Sequence, residues 1–224
     1  MEQEKFEIIR RNADAAAEIL KKYRSAALPT PPEIVTTQYS RGGEVLHRGY
    51  YCPSLVYDIY IGGAGRGRLI KRYSTPPTWR YGFNKEGRLV VAENFGAKTR
   101  ESILYDGETE VGLTVETEGP DAGKINRVSL TEYRDGKVFS YVCCDCFVDQ
   151  KLASIYGEVY KYECGLLKQV YCCLNWLYNQ RKPAPNEVLL TFGHDKDGYL
   201  TDYRYTDLHT SFSQIAPVTL KRRV

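Results

Sequence analysis

Five times along this chain an aromatic residue is followed by a short polar turn and a glycine, and in four of the five an apolar residue stands two positions after that glycine. Tyr81, Phe83, Asn84, Gly87 and Leu89 make the fullest copy. Tyr133, Asp135, Gly136 and Val138 make a shorter one, and Tyr162, Gly165 and Leu167 repeat it, as do Phe192, Asp195, Gly198 and Leu200. Tyr105, Asp106 and Gly107 are weaker, with Thr109 in the apolar place. Glycine supplies the positive φ of a tight turn, and Asp or Asn bonds its own backbone there. The glycines fall at 87, 107, 136, 165 and 198, a spacing of about one hairpin without a strict solenoid period. The pattern predicts an antiparallel meander.

Before it comes one clear helix. Phe6, Ile9, Ala13, Ala16, Leu20 and Tyr23 recur at steps of three and four, a single apolar stripe suited to docking on the protein's own sheet. Pro29, Pro31 and Pro32 forbid its continuation. Later, Leu55, Tyr57, Ile59 and Ile61 alternate with Val56, Asp58 and Tyr60, and with residues 69–73 they read as a hairpin around a glycine-rich tip. Residues 166–181 fit either a helix or a strand; their aromatic and β-branched neighbours favour a strand. With 19 Tyr against one Met, sheet outweighs helix bundle. The fold class is therefore α+β: a single domain over residues 1–224, with an N-terminal helix (1–27) packed on a large twisted antiparallel β-sheet meander (33–220). Eight to twelve strands are expected, in a sheet able to curl into a partial barrel.

No apolar run approaches the roughly 20 residues of a membrane helix. The acidic, polar N-terminus is unlike a signal peptide, so a cytoplasmic location without membrane partners is expected. Seven cysteines, an odd number with adjacent pairs, argue for reduced thiols over a disulfide framework.

Three constellations are candidates for chemistry. Arg66, Arg68, Lys71 and Arg72 beside the glycines of residues 62–67 are a possible anion site. With Arg80 and the rings of Tyr73, Trp79 and Tyr81 they also suit single-stranded nucleic acid. A net charge of only +3, and the lack of a helix or a Lys-Ser step after the glycines, count against both. Cys143, Cys144 and Cys146 lack the paired Cys-x-x-Cys turns of a zinc site, and a strand over 138–148 would put Cys144 and Cys146 on one face and Cys143 on the other. His47 with Cys52, and the acids and imidazoles at His194, Asp195, Asp197, Asp202, Asp207 and His209, match no catalytic signature, and turn formation explains the second group better. The expectation is a protein without catalytic residues, metal or cofactor.

The stretch 81–89 resembles one unit of the tyrosine-aspartate repeats of Rhs-type proteins, through Asn84, Gly87, Arg88 and Leu89. The later copies keep the glycine and the following apolar residue but lose the Arg, and at most about half of the chain is covered. A small protein made of a few such units and an N-terminal helix looks like the bacterial immunity proteins that accompany polymorphic toxins. That resemblance implies a non-enzymatic cytoplasmic binding protein that neutralises a cognate toxin by occluding it. The partner surface is placed on a Tyr-rich sheet face formed by Tyr199, Tyr203 and Tyr205 and extended by Tyr160 and Tyr162. The alternative is a carrier of a small apolar ligand in a curved-sheet pocket. Nucleic acid is disfavoured as a partner, and the oligomeric state is left open.

Overall fold

The computed structural model describes residues 2–23, 28–43, 47–56, 65–71, 76–146, 152–177 and 186–218. They comprise one α-helix, α1 (Glu2–Tyr23), and thirteen strands: β1 (Thr36–Arg41), β2 (Arg68–Leu69), β3 (Trp79–Phe83), β4 (Leu89–Asn94), β5 (Thr99–Asp106), β6 (Thr109–Glu116), β7 (Ile125–Arg134), β8 (Lys137–Cys146), β9 (Leu152–Glu163), β10 (Leu166–Leu177), β11 (Glu187–His194), β12 (Leu200–Asp207) and β13 (Ser213–Pro217). All belong to one antiparallel sheet in the order β13-β12-β11-β10-β9-β8-β7-β6-β5-β4-β3-β1-β2. The α+β expectation holds. The strand count exceeds the predicted range because the short β1, β2 and β13 carry no turn signature, and the sheet stays open at both ends.

The five glycine turns close the β3–β4, β5–β6, β7–β8, β9–β10 and β11–β12 hairpins, so all five lie at the same end of the sheet. Two use identical chemistry. Asn84 Oδ1 accepts the N–H of Glu86 and Arg88 at 3.1 and 2.9 Å, and Asp195 Oδ1 accepts those of Asp197 and Tyr199 at 2.9 Å each. Gly87 and Gly198 take the left-handed place at φ +74° and +81°. The two-residue turns at Asp135–Gly136 and Cys164–Gly165 put both residues at positive φ, the mirror-image turn whose twist matches a hairpin.

Residues 166–177 form a strand, as their composition indicated. Of the hairpin expected over residues 55–61 and 69–73, residues 57–64 and 72–75 lie outside the described residues; Leu69 pairs with Ser40 of β1. Gly67 ends the glycine run in a close backbone approach to Arg41 and Gly42, where a side chain would not fit. It is a packing glycine and not part of a free tip.

The sheet's two faces are buried by different means. On one, α1 lies across β7, β8, β9 and β10. Its stripe of Phe6, Ile9, Ala13, Ala16 and Leu20 is buried against Val128, Val142, Cys144, Ile155 and Tyr171. Gly157 makes the approach possible: a Cβ there would sit 2.5 Å from Ile9 Cγ2. Asn12 Nδ2 donates to Ser140 Oγ at 2.9 Å, and Arg11 Nη2 donates to both carboxylate oxygens of Glu132 at 2.7 and 2.8 Å, contacts that fix the helix's register on the sheet. On the other face the cover is irregular chain. Residues 47–56, including a 3-10 turn at Gly49–Tyr51, run as a strap over β5 to β9, anchored by the hydrogen bonds described next.

Candidate functional site

Cross-strand register builds a polar row beneath the strap. Tyr105 of β5 stands opposite Glu110 of β6, Glu110 opposite Thr131 of β7, Thr131 opposite Tyr141 of β8, and Tyr141 opposite Glu158 of β9. Directly opposite residues share a sheet face, so these side chains project together, with Glu101, Ser129 and Arg127 in the neighbouring rows. Most of them are buried, which demands partners for each charge and hydroxyl.

The strap supplies those partners. Arg48, 1% exposed and left-handed at φ +60°, sends its guanidinium down onto the sheet. Nη2 donates to Glu101 Oε1 at 2.8 Å and to Ser129 Oγ at 3.2 Å, and Nη1 donates to Glu110 Oε1. His47 Nδ1 lies 2.7 Å from the Tyr141 hydroxyl and Nε2 lies 2.8 Å from Glu101 Oε2. Tyr133 donates to Glu110 Oε2 at 3.2 Å. Burial opposes the charge on Arg48, but Glu101 and Glu110 outweigh it and hold the guanidinium protonated. Burial likewise favours a neutral Glu101, yet Arg48 and His47 prevail and keep it well below the carboxylate range. His47 goes the other way: burial lowers its pKa, Glu101 opposes, and Arg48 and Arg127 assist the lowering.

A second clip lies toward β9. Glu158, fully buried, accepts hydrogen bonds from Ser54 of the strap and from Tyr156 and Tyr160, while the Leu55 N–H donates to the Tyr160 hydroxyl at 3.0 Å. Burial pushes the Glu158 carboxyl up to about 7, against the three hydroxyls and the more distant Arg66. Arg66 itself donates to the carbonyls of Tyr50, Cys52 and Ser54, tying the strap from above.

These contacts correct several sequence expectations. Arg66, expected beside the glycines as an anion ligand, turns its guanidinium onto backbone carbonyls of the strap. Arg68 and Lys71 are exposed, and Arg72 lies outside the described residues. Trp79 and Tyr81 are buried in a core cluster with Ala92 and Ile103, and Arg80 pairs with Glu93 at 2.8 Å, so this group presents no stacking platform for bases; Tyr73 is outside the described residues. Tyr160 is 3% exposed and engaged by Glu158, which removes it from any partner surface, whereas Tyr162 is half-buried. Tyr199 precedes β12, its N–H held by Asp195, while Tyr203 and Tyr205 do share a strand face.

His47 serves Glu101 and Tyr141, and Cys52 is buried. Asp195 and Asp207 shape turns, Asp207 Oδ1 accepting the N–H of His209 and Thr210 at 2.9 and 2.8 Å. All seven cysteines are free thiols. Cys144 and Cys146 face the helix side together, as the strand reading required. Burial raises the thiol of Cys143 to about 11 and of Cys146 to about 12, so both are protonated at neutral pH. Among the described residues no three His, Cys, Asp or Glu side chains converge on a point that a metal could occupy. Glu101, Glu110 and Glu158 carry no motif in the sequence; their only local signal is a carboxylate at an inward position of an alternating strand.

The fold and this row define an open antiparallel sheet, sequential from β3 to β13 with β1 inserted between β3 and β2, that carries a helix on one face and a salt-bridged strap on the other. No protein-family model and no curated protein matches the chain.

Proposed function

We propose that this is a non-enzymatic binding protein that occludes a protein partner with the aromatic corner of its sheet, and that it acts as a cytoplasmic immunity protein against a cognate toxin. The observation that carries the binding reading is the grouping of Tyr203, Tyr205 and Phe212. Tyr203 and Tyr205 stand half-buried on one face of β12, and Phe212, 58% exposed, brings its ring to 6.5 Å from Tyr205. Below them Phe192 is buried, with its ring 6.5 Å from Tyr203. Rings held on paired strands offer large contact area at small entropy cost, the usual make-up of an interface hot spot. The immunity half of the proposal is supported by the resemblance of residues 81–89 to toxin-associated repeats.

The test is affinity capture with the tagged protein from its own cells, followed by a Tyr203→Ser, Tyr205→Ser, Phe212→Ser triple variant. A stoichiometric partner, lethal when expressed alone and bound about 100-fold more weakly by the triple variant, is expected. Equal binding by the variant would remove the aromatic corner from the interface, and a partner harmless on its own would remove the toxin.

A cleft of about 430 Å³ supports a second reading, as a carrier of a small apolar ligand. Pro32, Ile103, Leu104 and Tyr105 form its apolar wall and Thr30, Asn84, Glu86 and Arg88 its polar one, between the chain after α1 and the β3–β4 turn. Native mass spectrometry of gently purified protein checks this: a retained small molecule is expected, and a bare chain mass defeats the carrier.

A further inference from the structure

We propose that Glu101, Glu110, Ser129 and Gly112 form a guanidinium-binding pocket on the sheet, that Arg48 plugs it as an internal ligand, and that an arginine side chain of a protein partner takes the same place when the strap lifts. The last clause rests on the protein-binding reading; the pocket does not.

The pocket's walls belong to the sheet. Ser129 Oγ donates to Glu101 Oε1 at 3.2 Å and Tyr133 donates to Glu110 Oε2 at 3.2 Å, so both carboxylates are oriented by residues outside the strap. Gly112 makes the floor: a Cβ there would lie 2.6 Å from Arg48 Nη2 and closer still to Glu101. Two carboxylates flank a single planar fork, an acceptor geometry that suits guanidinium and wastes an ammonium group. The fit of Arg48 is made at the fork alone. Its Nε has no hydrogen-bond partner among the described residues although it is buried, as is true of Thr114 and Thr131 on the same face, and its backbone adopts the left-handed region uncommon for arginine. A ligand delivered from another direction meets the same two acceptors without that backbone conformation. The rest of the strap is held separately from the fork, by His47 on Glu101 and Tyr141, Ser54 on Glu158, Arg66 on three strap carbonyls, and the Tyr81 and Tyr160 hydroxyls on strap backbone, so those contacts must also open before the strap lifts.

The test is chemical rescue of Arg48→Ala in the full chain. The variant is expected to lose about 10 °C or more of thermal midpoint. Methylguanidinium in the millimolar range should restore at least half of the loss saturably, while methylammonium at equal ionic strength should not. If Arg48→Ala is unfolded when purified, methylguanidinium is expected to restore its far-ultraviolet β-sheet signal. Adding Glu101→Gln and Glu110→Gln should abolish the response. N-acetyl-arginine amide should bind Arg48→Ala and compete with methylguanidinium, while binding wild type at least about 10-fold more weakly because the plug is in place. Equal rescue by both cations, no rescue by either, or rescue that survives the two Gln substitutions overturns the pocket. Equal binding of the amide to wild type and variant overturns the plug. Neither result depends on the aromatic corner, so failure here is distinguishable from failure of the binding reading.

Discussion

Gly112 lies directly beneath the guanidinium of Arg48, where a methyl group would come within 2.6 Å of Nη2. The contact ties the conformation of an irregular strap to the absence of one side chain in the middle of β6. Gly112→Ala is expected to destabilise the protein by about 3 kcal/mol, through overpacking and displacement of a buried ion pair. Urea unfolding measures it; a change within about 0.5 kcal/mol would show that the guanidinium can shift at little cost.

Glu158 should make stability pH-dependent. Its folded pKa, about 7, exceeds the ordinary 4.5, so between those values the folded state holds a proton that the unfolded state has lost. Its contribution is full below about pH 4.5 and declines as pH rises to about 7. Burial of His47 acts in the opposite sense, since a lowered folded pKa removes stability as pH falls below 6.5. Comparing wild type with Glu158→Gln cancels the His47 effect. From pH 5 to pH 8 wild type should lose up to about 3 kcal/mol relative to the variant, and parallel curves would refute the assignment.

Ile9 and Gly157 should be energetically coupled. Ile9→Ala is expected to cost about 3 kcal/mol, because it opens a cavity under α1. Gly157→Ala alone forces Ile9 away from the sheet, but in an Ile9→Ala background its Cβ no longer meets the isoleucine branch. The double variant should therefore be less destabilised than the sum by at least about 1 kcal/mol in a double-mutant cycle. Strict additivity would mean that the helix does not pack here.

Asn84→Ala and Asp195→Ala each remove two side-chain to backbone bonds from a five-residue turn, and each should cost about 1 kcal/mol. Because the turns belong to the β3–β4 and β11–β12 hairpins, the two losses should add. Thermal unfolding of both single variants and the pair checks this, and a loss in only one turn would break the equivalence.

The run of hairpins from β3 to β12 was legible because hairpins are local. Asn84, Asp135 and Asp195 with Gly87, Gly136 and Gly198 hold turns whose chemistry spans a few residues, so a linear pattern suffices to place them. The helix stripe from Phe6 to Leu20 was equally plain, since its periodicity belongs to the helix itself. The aromatic residues were only half legible. Alternation put Tyr203 and Tyr205 on one face, but no local pattern could separate them from Tyr81 and Tyr160, which later cover buries completely or nearly so.

What tertiary structure alone decided was the strap and the charges under it. Arg48 reaches Glu101 and Glu110 across 53 and 62 residues, and Ser54 reaches Glu158 across 104. Arg66, a loop cation by sequence, became a clamp on three carbonyls for the same reason. Composition and periodicity determine which face of a strand turns inward; which distant charge meets it there depends on the path of the whole chain, because desolvating a carboxylate is tolerable only where the folded chain brings a donor to it.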